Sequence, residues 1–221
     1  MKAILAAGVA TLAMIASPAA AQDRQGDVQV KILATGVLPD GKITEFDTDI
    51  VGLPAGTQTK ANDNYVPTVA IEYFFTDNVS LETICCVTQH DVDGTTGLPG
   101  AELVSDAKVI PATFTAKYHF PTASIKPYVG AGVTYFLWVD VEPGAATIPL
   151  GVTKTTLSDE FGFVLQAGVD VPINESAAIT FDAKRYFVDT TARWYAGNTL
   201  AIQTEHKLDP WVLSAGVAFR F

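Results

Sequence analysis

From residue 27 to the C-terminus, apolar residues recur at every second position in eight separate stretches: Asp27–Leu38, Tyr65–Phe75, Val79–Thr88, Lys108–Phe120, Ile125–Val141, Asp159–Val171, Ala177–Val188 and Trp211–Phe221. A period of two is the signature of a strand with two unlike faces. In the last stretch one face carries Trp211, Leu213, Ala215, Val217, Phe219 and Phe221, and the other carries Val212, Ser214, Gly216, Ala218 and Arg220. Aromatics at both ends of the apolar face and a charge on the other give the girdle pattern of a strand that crosses a bilayer, which needs about 9 to 11 residues. The other stretches repeat it. Val69, Ile71, Tyr73 and Phe75 oppose Thr68, Ala70, Glu72 and Phe74, while Phe161, Phe163 and Leu165 oppose Gly162, Val164 and Gln166. Arg185 puts a charge on an apolar face, and it stands near a strand end, where such a charge costs only about 0 to 1 kcal/mol.

Long loop segments, polar at Pro39–Asn64, Gln89–Ala107 and Asp189–Asp209 and apolar in the middle of Glu142–Ser158, alternate with short turns at Thr76–Asn78, Pro121–Ser124 and Pro172–Ser176. Both chain ends therefore fall on the short-turn side. The fold class predicted is all-β, an eight-stranded antiparallel transmembrane up-and-down β-barrel over residues 22–221. Eight strands leave an interior just wide enough for side chains or one slim ligand.

Composition adds an export address. Lys2, the apolar run Ala3–Ile15 and the small residues before Gln22 read as a secretory signal peptide over residues 1–21, since the run is shorter than a spanning helix requires. The formal charge of −10 becomes −11 when Lys2 is lost with the signal, which argues against nucleic acid as a partner. Cys85 and Cys86 are neighbours whose side chains point to opposite faces of a strand, so they are expected to be two free thiols, one facing lipid and one the interior.

The inner faces carry the candidate chemistry. Lys31, Glu72, Glu82, Lys117, Asp170, Asp182, Lys184 and Arg220 are expected to pair into a network filling the lower barrel, because unpaired buried charges are costly. The fifth strand turns Tyr128, Gly130, Gly132, Phe136 and Trp138 inward, and with Leu33 and Val164 these form a candidate lumen site. Two readings of the glycines stand side by side: they make room for a slim hydrophobic ligand beside an aromatic wall, or they relieve curvature in a small barrel. On the first reading, Gly132→Trp is expected to impair passage of an apolar solute with folding intact. Catalysis on outer-leaflet lipid would need a hydroxyl, a His base and a carboxylate together. His90 beside Asp91 or Asp93 in an outer loop is the one candidate base, His206 lies in another loop and His119 near a periplasmic turn. No motif singles out a nucleophile and no spacing suits a metal, so no enzyme activity, catalytic residue, metal or cofactor is expected.

Three segments, KPYVGAGVTYF (Lys126–Phe136), FVDTTA (Phe187–Ala192) and LDPWVLSAGVAFRF (Leu208–Phe221), together with FFTDN (Phe74–Asn78), resemble the outer membrane protein W family over nearly all of the mature chain. The resemblance implies location in the bacterial outer membrane and a narrow, largely hydrophobic channel admitting small hydrophobic molecules, with lateral release into the membrane. It also implies recognition of the terminal strand, through Phe219 and Phe221, by the barrel assembly machinery. Outer-membrane lipid and small hydrophobic solutes are the remaining expected partners. The alternative is a structural, adhesive or receptor barrel whose long outer loops are the working part.

Overall fold

The computed structural model describes residues 24–121 and 124–221. The expected signal peptide lies outside the described residues, as does part of the turn at Pro121–Ser124. The strands are β1 (Val28–Leu38), β2 (Lys42–Asp49), β3 (Thr59–Ala61), β4 (Asn64–Phe74), β5 (Val79–Cys85), β6 (Thr88–Gly94), β7 (Glu102–His119), β8 (Lys126–Pro143), β9 (Lys154–Leu157), β10 (Glu160–Pro172), β11 (Ala177–Phe187), β12 (Asp189–Ala196), β13 (Thr199–Lys207) and β14 (Trp211–Arg220).

Eight of these match the eight alternating stretches and close on themselves in the order β1, β4, β5, β7, β8, β10, β11, β14. Closure is made by β14 against β1, in register from Gln29 opposite Arg220 to Leu38 opposite Trp211. In lipid this is the only way a sheet can satisfy every strand's backbone groups. Side-chain burial follows the period of two around the whole wall. Ile71, Phe114, Val133, Phe163 and Phe181 are exposed outward while Glu72, Thr113, Thr134, Val164 and Asp182 are buried inward. Aromatic pairs mark both rims of the apolar band, Tyr73–Phe75 and Tyr118–Phe120 near the short turns and Tyr135–Phe161 at the other end, with ring centroids 4.6–5.3 Å apart. Arg185 is held at the outer rim by Asp40, 3.1 Å away, and lies over the Trp211 ring. Cys85 faces outward and Cys86 inward, both free.

The long segments depart from the loops expected of them. β2, β13, β12 and β9 form a four-stranded sheet, and β3 and β6 continue the barrel wall beside β7, which with β8 runs 18 residues. These strands escape a simple alternation reading because they stand in water and carry polar residues on both faces, as in KITEFDTD of β2. Their inner sides still bury a second core of Val104, Ala107, Val152, Ala192, Trp194, Ala201 and Ile202.

Gly132 and Gly216 stand where neighbouring strands approach closely. A Cβ built at Gly132 would lie 1.9 Å from the Phe114 carbonyl oxygen, a backbone atom that cannot swing away. The missing side chain at Gly132 therefore makes room for the neighbouring strand, and Gly132→Trp cannot be expected to leave folding intact. Even Gly132→Ala should lower barrel stability by about 1–3 kcal/mol, the range for overpacking, measured as the urea midpoint in lipid vesicles. Ala131→Val on the lipid face serves as control, and equal midpoints for the two would refute the close-approach argument.

Candidate functional site: a plugged lumen with an apolar chamber above it

The lower lumen is filled by charge. Strands β1, β4, β5, β7 and β11 each turn a charged residue inward at similar height. Lys31 Nζ lies 2.8 Å from Glu72 and 2.9 Å from Glu82, and Lys117 Nζ repeats both distances to the same two carboxylates. Lys184 Nζ joins Glu82 at 3.1 Å and Asp182 at 2.7 Å. Three amines thus face three carboxylates, all nearly without solvent exposure. Alternating partners satisfy each group, which is the condition under which buried ions are tolerated.

Neutral groups that sequence reasoning did not assign to the network complete it. The Tyr128 hydroxyl donates to Asp182 at 2.8 Å, and the Lys117 ammonium sits 3.8 Å from the Tyr128 ring centroid. The Gln166 amide donates to Glu82 and Asp182 at 2.9 and 2.6 Å. His119 meets Glu72 at 2.7 Å and Ser80 at 3.0 Å through the same Nε2 atom, so this hydroxyl, imidazole and carboxylate lack the relay order of a nucleophile triad. Their inward position on alternating strands was the available signal.

Two of the expected network charges stand apart. Asp170 is approached by the Gln29 amide at 3.5 Å, and Arg220 pairs with Asp27 at 3.4 Å and donates to the Glu175 carbonyl at the rim.

Above the network lies an apolar chamber of about 100 Å³. Leu33, Phe136 and Trp138 line it, together with Val37, Val109 and Val212. Lys184 and Tyr186 reach it from the plug side. Val164 packs in the same cluster as Phe136 without reaching the chamber wall. Tyr128 belongs to the network below, and Gly130 lies against Lys117 and Gln166, so these two and Gly132 are not brought to the chamber.

His90 and His206, expected in solvated loops, instead line the chamber from β6 and β13. His90 Nδ1 is 2.7 Å from the Asn62 carbonyl and its Nε2 3.0 Å from Thr88 Oγ1, so neither ring nitrogen meets Asp91 or Asp93. His206 Nε2 lies 2.7 Å from Thr204 Oγ1. Burial lowers the proton affinity of both, with His206 brought down to about 4.

The wall beside the chamber is interrupted. The ladder of β5 against β7 reaches Ile84 opposite Thr113, and that of β6 against β7 resumes at Thr88 opposite Val109. Pro111, which has no N–H to donate, stands within the interval. Cys86 and Pro111 both line the chamber there, while Val87 is exposed outward.

A closed eight-stranded antiparallel barrel with an apolar belt, two aromatic girdles and charges inside defines an outer-membrane β-barrel protein. The chain belongs to the OmpW family, whose model matches residues 24–221. An outer-membrane protein of Sinorhizobium fredii, y4mB, is 33% identical over 198 residues, covering 87% of this chain and 79% of its own length. Outer membrane protein W of Vibrio cholerae is 27% identical over 218 residues, 97% of each chain. The crystal structure of the outer membrane protein OprG from Pseudomonas aeruginosa superposes with a TM-score of 0.81 at 24% identity, over 91% of this chain and 98% of that one. The protein resides in the bacterial outer membrane, and lipid surrounds its wall.

Two outcomes follow from this geometry. Glu82→Ala removes the carboxylate shared by Lys31, Lys117 and Lys184 and should cost roughly 3–5 kcal/mol, as expected for an uncompensated buried charge; an unchanged urea midpoint would show that the network contributes little. His206 is held neutral in the folded extension and ionises with a value near 6.5 when unfolded. Between pH 6.5 and about 4 the unfolded form binds the extra proton, so stability of the extension falls as pH falls through that window. Hydrogen exchange of β12 and β13 amides, corrected for intrinsic rate, should quicken across it, and His206→Gln should remove that share of the pH dependence.

Proposed function

We propose that this barrel is a channel for small hydrophobic molecules, which enter the chamber above the charge network and leave sideways between β5 and β7 into the bilayer. The observation that carries the reading is the position of the chamber, closed toward the periplasm by ion pairs and bordered by the interrupted ladder at Pro111. An apolar solute gains nothing from crossing a dry layer of ion pairs. Moving sideways into hydrocarbon costs it little, because chamber and lipid are solvents of the same kind. Phe136 and Trp138 are the residues we assign to the solute-facing wall, with Leu33 and Cys86. Phe219 and Phe221, exposed on the lipid face of the last strand, we assign to recognition by the barrel assembly machinery.

A second reading makes the outer extension the working part, as a receptor or adhesive surface. The folded four-stranded sheet, in place of loose loops, favours it.

Uptake of a labelled small apolar compound by whole cells, with and without the protein, separates the two. Protein-dependent uptake is expected, and Cys86→Trp, which fills the chamber beside the interrupted ladder, should reduce it about tenfold or more, while Cys85→Ala on the lipid face leaves it unchanged. Equal uptake in cells lacking the protein would remove the channel reading and leave the extension.

A further inference from the structure

The lipid-facing wall is hollowed where the first and last strands meet. A groove of about 1000 Å³ crosses β4, β1, β14, β11 and β10 there. Strand register sets its layout in two rows. The row nearer the short turns places Pro67, Ala34, Ala215 and Phe181 side by side, and the row above it places Tyr65, Gly36, Leu213 and Ala183. Alanine and glycine form the floor, and Tyr65, Leu213 and Phe181 stand exposed as its sides. The Tyr65 ring leans over Gly36, where an added Cβ would come within 3.1 Å of it. The space is several times the roughly 150 Å³ that holds benzene, so it suits a hydrocarbon chain.

The groove ends upward in positive charge. Trp211 stands next above it, opposite Leu38 on one side and Arg185 on the other. The Arg185 guanidinium lies over the Trp211 ring and donates from Nη2 to Asp40 at 3.1 Å, while its Nη1 has no acceptor among the described residues. The Asp40 N–H donates to the Leu208 carbonyl, which brings the start of β2 against the end of β13 and sets Lys42 opposite Lys207. Both lysines are exposed. Like charges directly opposite each other on a sheet repel. Asp189 stands beside Lys207 on the other side and Asp209 turns to the Val188 N–H, yet among the described residues neither lysine amine makes an ion pair. This cationic cluster lies at the membrane surface of a chain whose net charge is −10.

An apolar groove open to the bilayer, with Arg185, Lys207 and Lys42 at its outer end, matches one kind of occupant. A hydrocarbon chain fills the groove, and a phosphate at the surface accepts from the guanidinium and lies against the two lysines, relieving their repulsion. A zwitterionic head would bring its own cation to the same place and gain less. A second copy of the chain, packed here by a two-fold axis along the membrane normal, would set its own three cations at the same height as these.

We propose that the seam between β1 and β14 is a binding site for a phosphate-bearing lipid of the outer leaflet, with a hydrocarbon chain in the groove and the phosphate at Arg185, Lys207 and Lys42. The site lies on the outer wall and is independent of the channel reading.

The test reads the fluorescence of Trp211 at the head of the groove. The chain has three tryptophans, so Trp138→Phe with Trp194→Phe leaves Trp211 alone. The mature barrel is placed in phosphatidylcholine vesicles containing a fixed minor fraction of a lipid with brominated chains, since bromine quenches tryptophan on contact. Brominated phosphatidic acid should quench as though enriched roughly fivefold beside Trp211 relative to brominated phosphatidylcholine. Lys42→Gln with Lys207→Gln should abolish the enrichment. Ala34→Phe, which fills the groove floor, should reduce it, and Ala215→Phe does the same work if Ala34→Phe fails to fold. Val133→Phe, on the lipid face of β8 across the barrel, should leave it unchanged.

Equal quenching by the two lipids overturns the proposal. So does enrichment that survives the double lysine substitution, or that ignores both groove substitutions. Quenching by neither lipid, together with a doubled mass of the detergent-solubilised barrel, would show a second copy covering the seam and overturns it as well.

Discussion

Everything in this molecule depends on a sheet that has no edge. Hydrocarbon offers no partner to a backbone N–H or carbonyl, so the first and last strands must find each other, and β1 and β14 do so over ten consecutive residue pairs. Closure fixes the rest of the distribution. Once the wall is shut, every second side chain must meet lipid and every other one the lumen, which turns polarity inside out relative to a soluble barrel. The lumen of eight strands is too narrow to hold bulk water. The inward lysines and carboxylates consequently have only each other, and the alternation of Lys31 and Lys117 between Glu72 and Glu82 is how they are neutralised.

In the channel reading, the network acts through its position. It occupies the lumen toward the short-turn side, so the apolar space that remains is open only upward and sideways. An apolar chamber between an ionic floor and a wall gap at Pro111 couples two environments of similar polarity, while the floor keeps the periplasm separate. On that reading the same residues carry both stability and direction. Lys184 belongs to both, since it pairs with Asp182 and Glu82 and also borders the chamber.

The wall was legible in the sequence because lipid imposes the strictest possible alternation on it. Each of the eight stretches could be read from one predominantly apolar face, and the alternation alone puts Glu72 and Glu82 on the same inner side. The extension was not legible by the same rule. Its strands stand in water on one side and cover a core made partly of threonine and alanine, so KITEFDTD and TLAIQTEHK show no clean contrast between faces. A signal was present in the Gly197-Asn198 turn, with Gly197 at φ +60°, between the β-rich runs of β12 and β13. The histidines followed the extension: once β6 and β13 are strands, His90 and His206 point inward and are no longer solvated loop residues. The glycines illustrate a different boundary. Sequence places Gly132 on the inner face, yet whether the absent side chain serves the lumen or the neighbouring strand depends on interstrand distance, which no pattern of residues encodes.

The extension also changes the physical problem a solute meets. A bare barrel would offer its chamber directly to water, with only the narrow lumen to bind in. Here β2, β9, β12 and β13 build a second core above the membrane, and Trp194 belongs to it while bordering the chamber. That core has to be stable in water without lipid to cover it, which explains why its inner side is threaded with threonine hydroxyls bonded to nearby carbonyls and imidazole. In the channel reading the chamber, with Lys184 and two histidines on its border, is where any chemical distinction between solutes must be drawn.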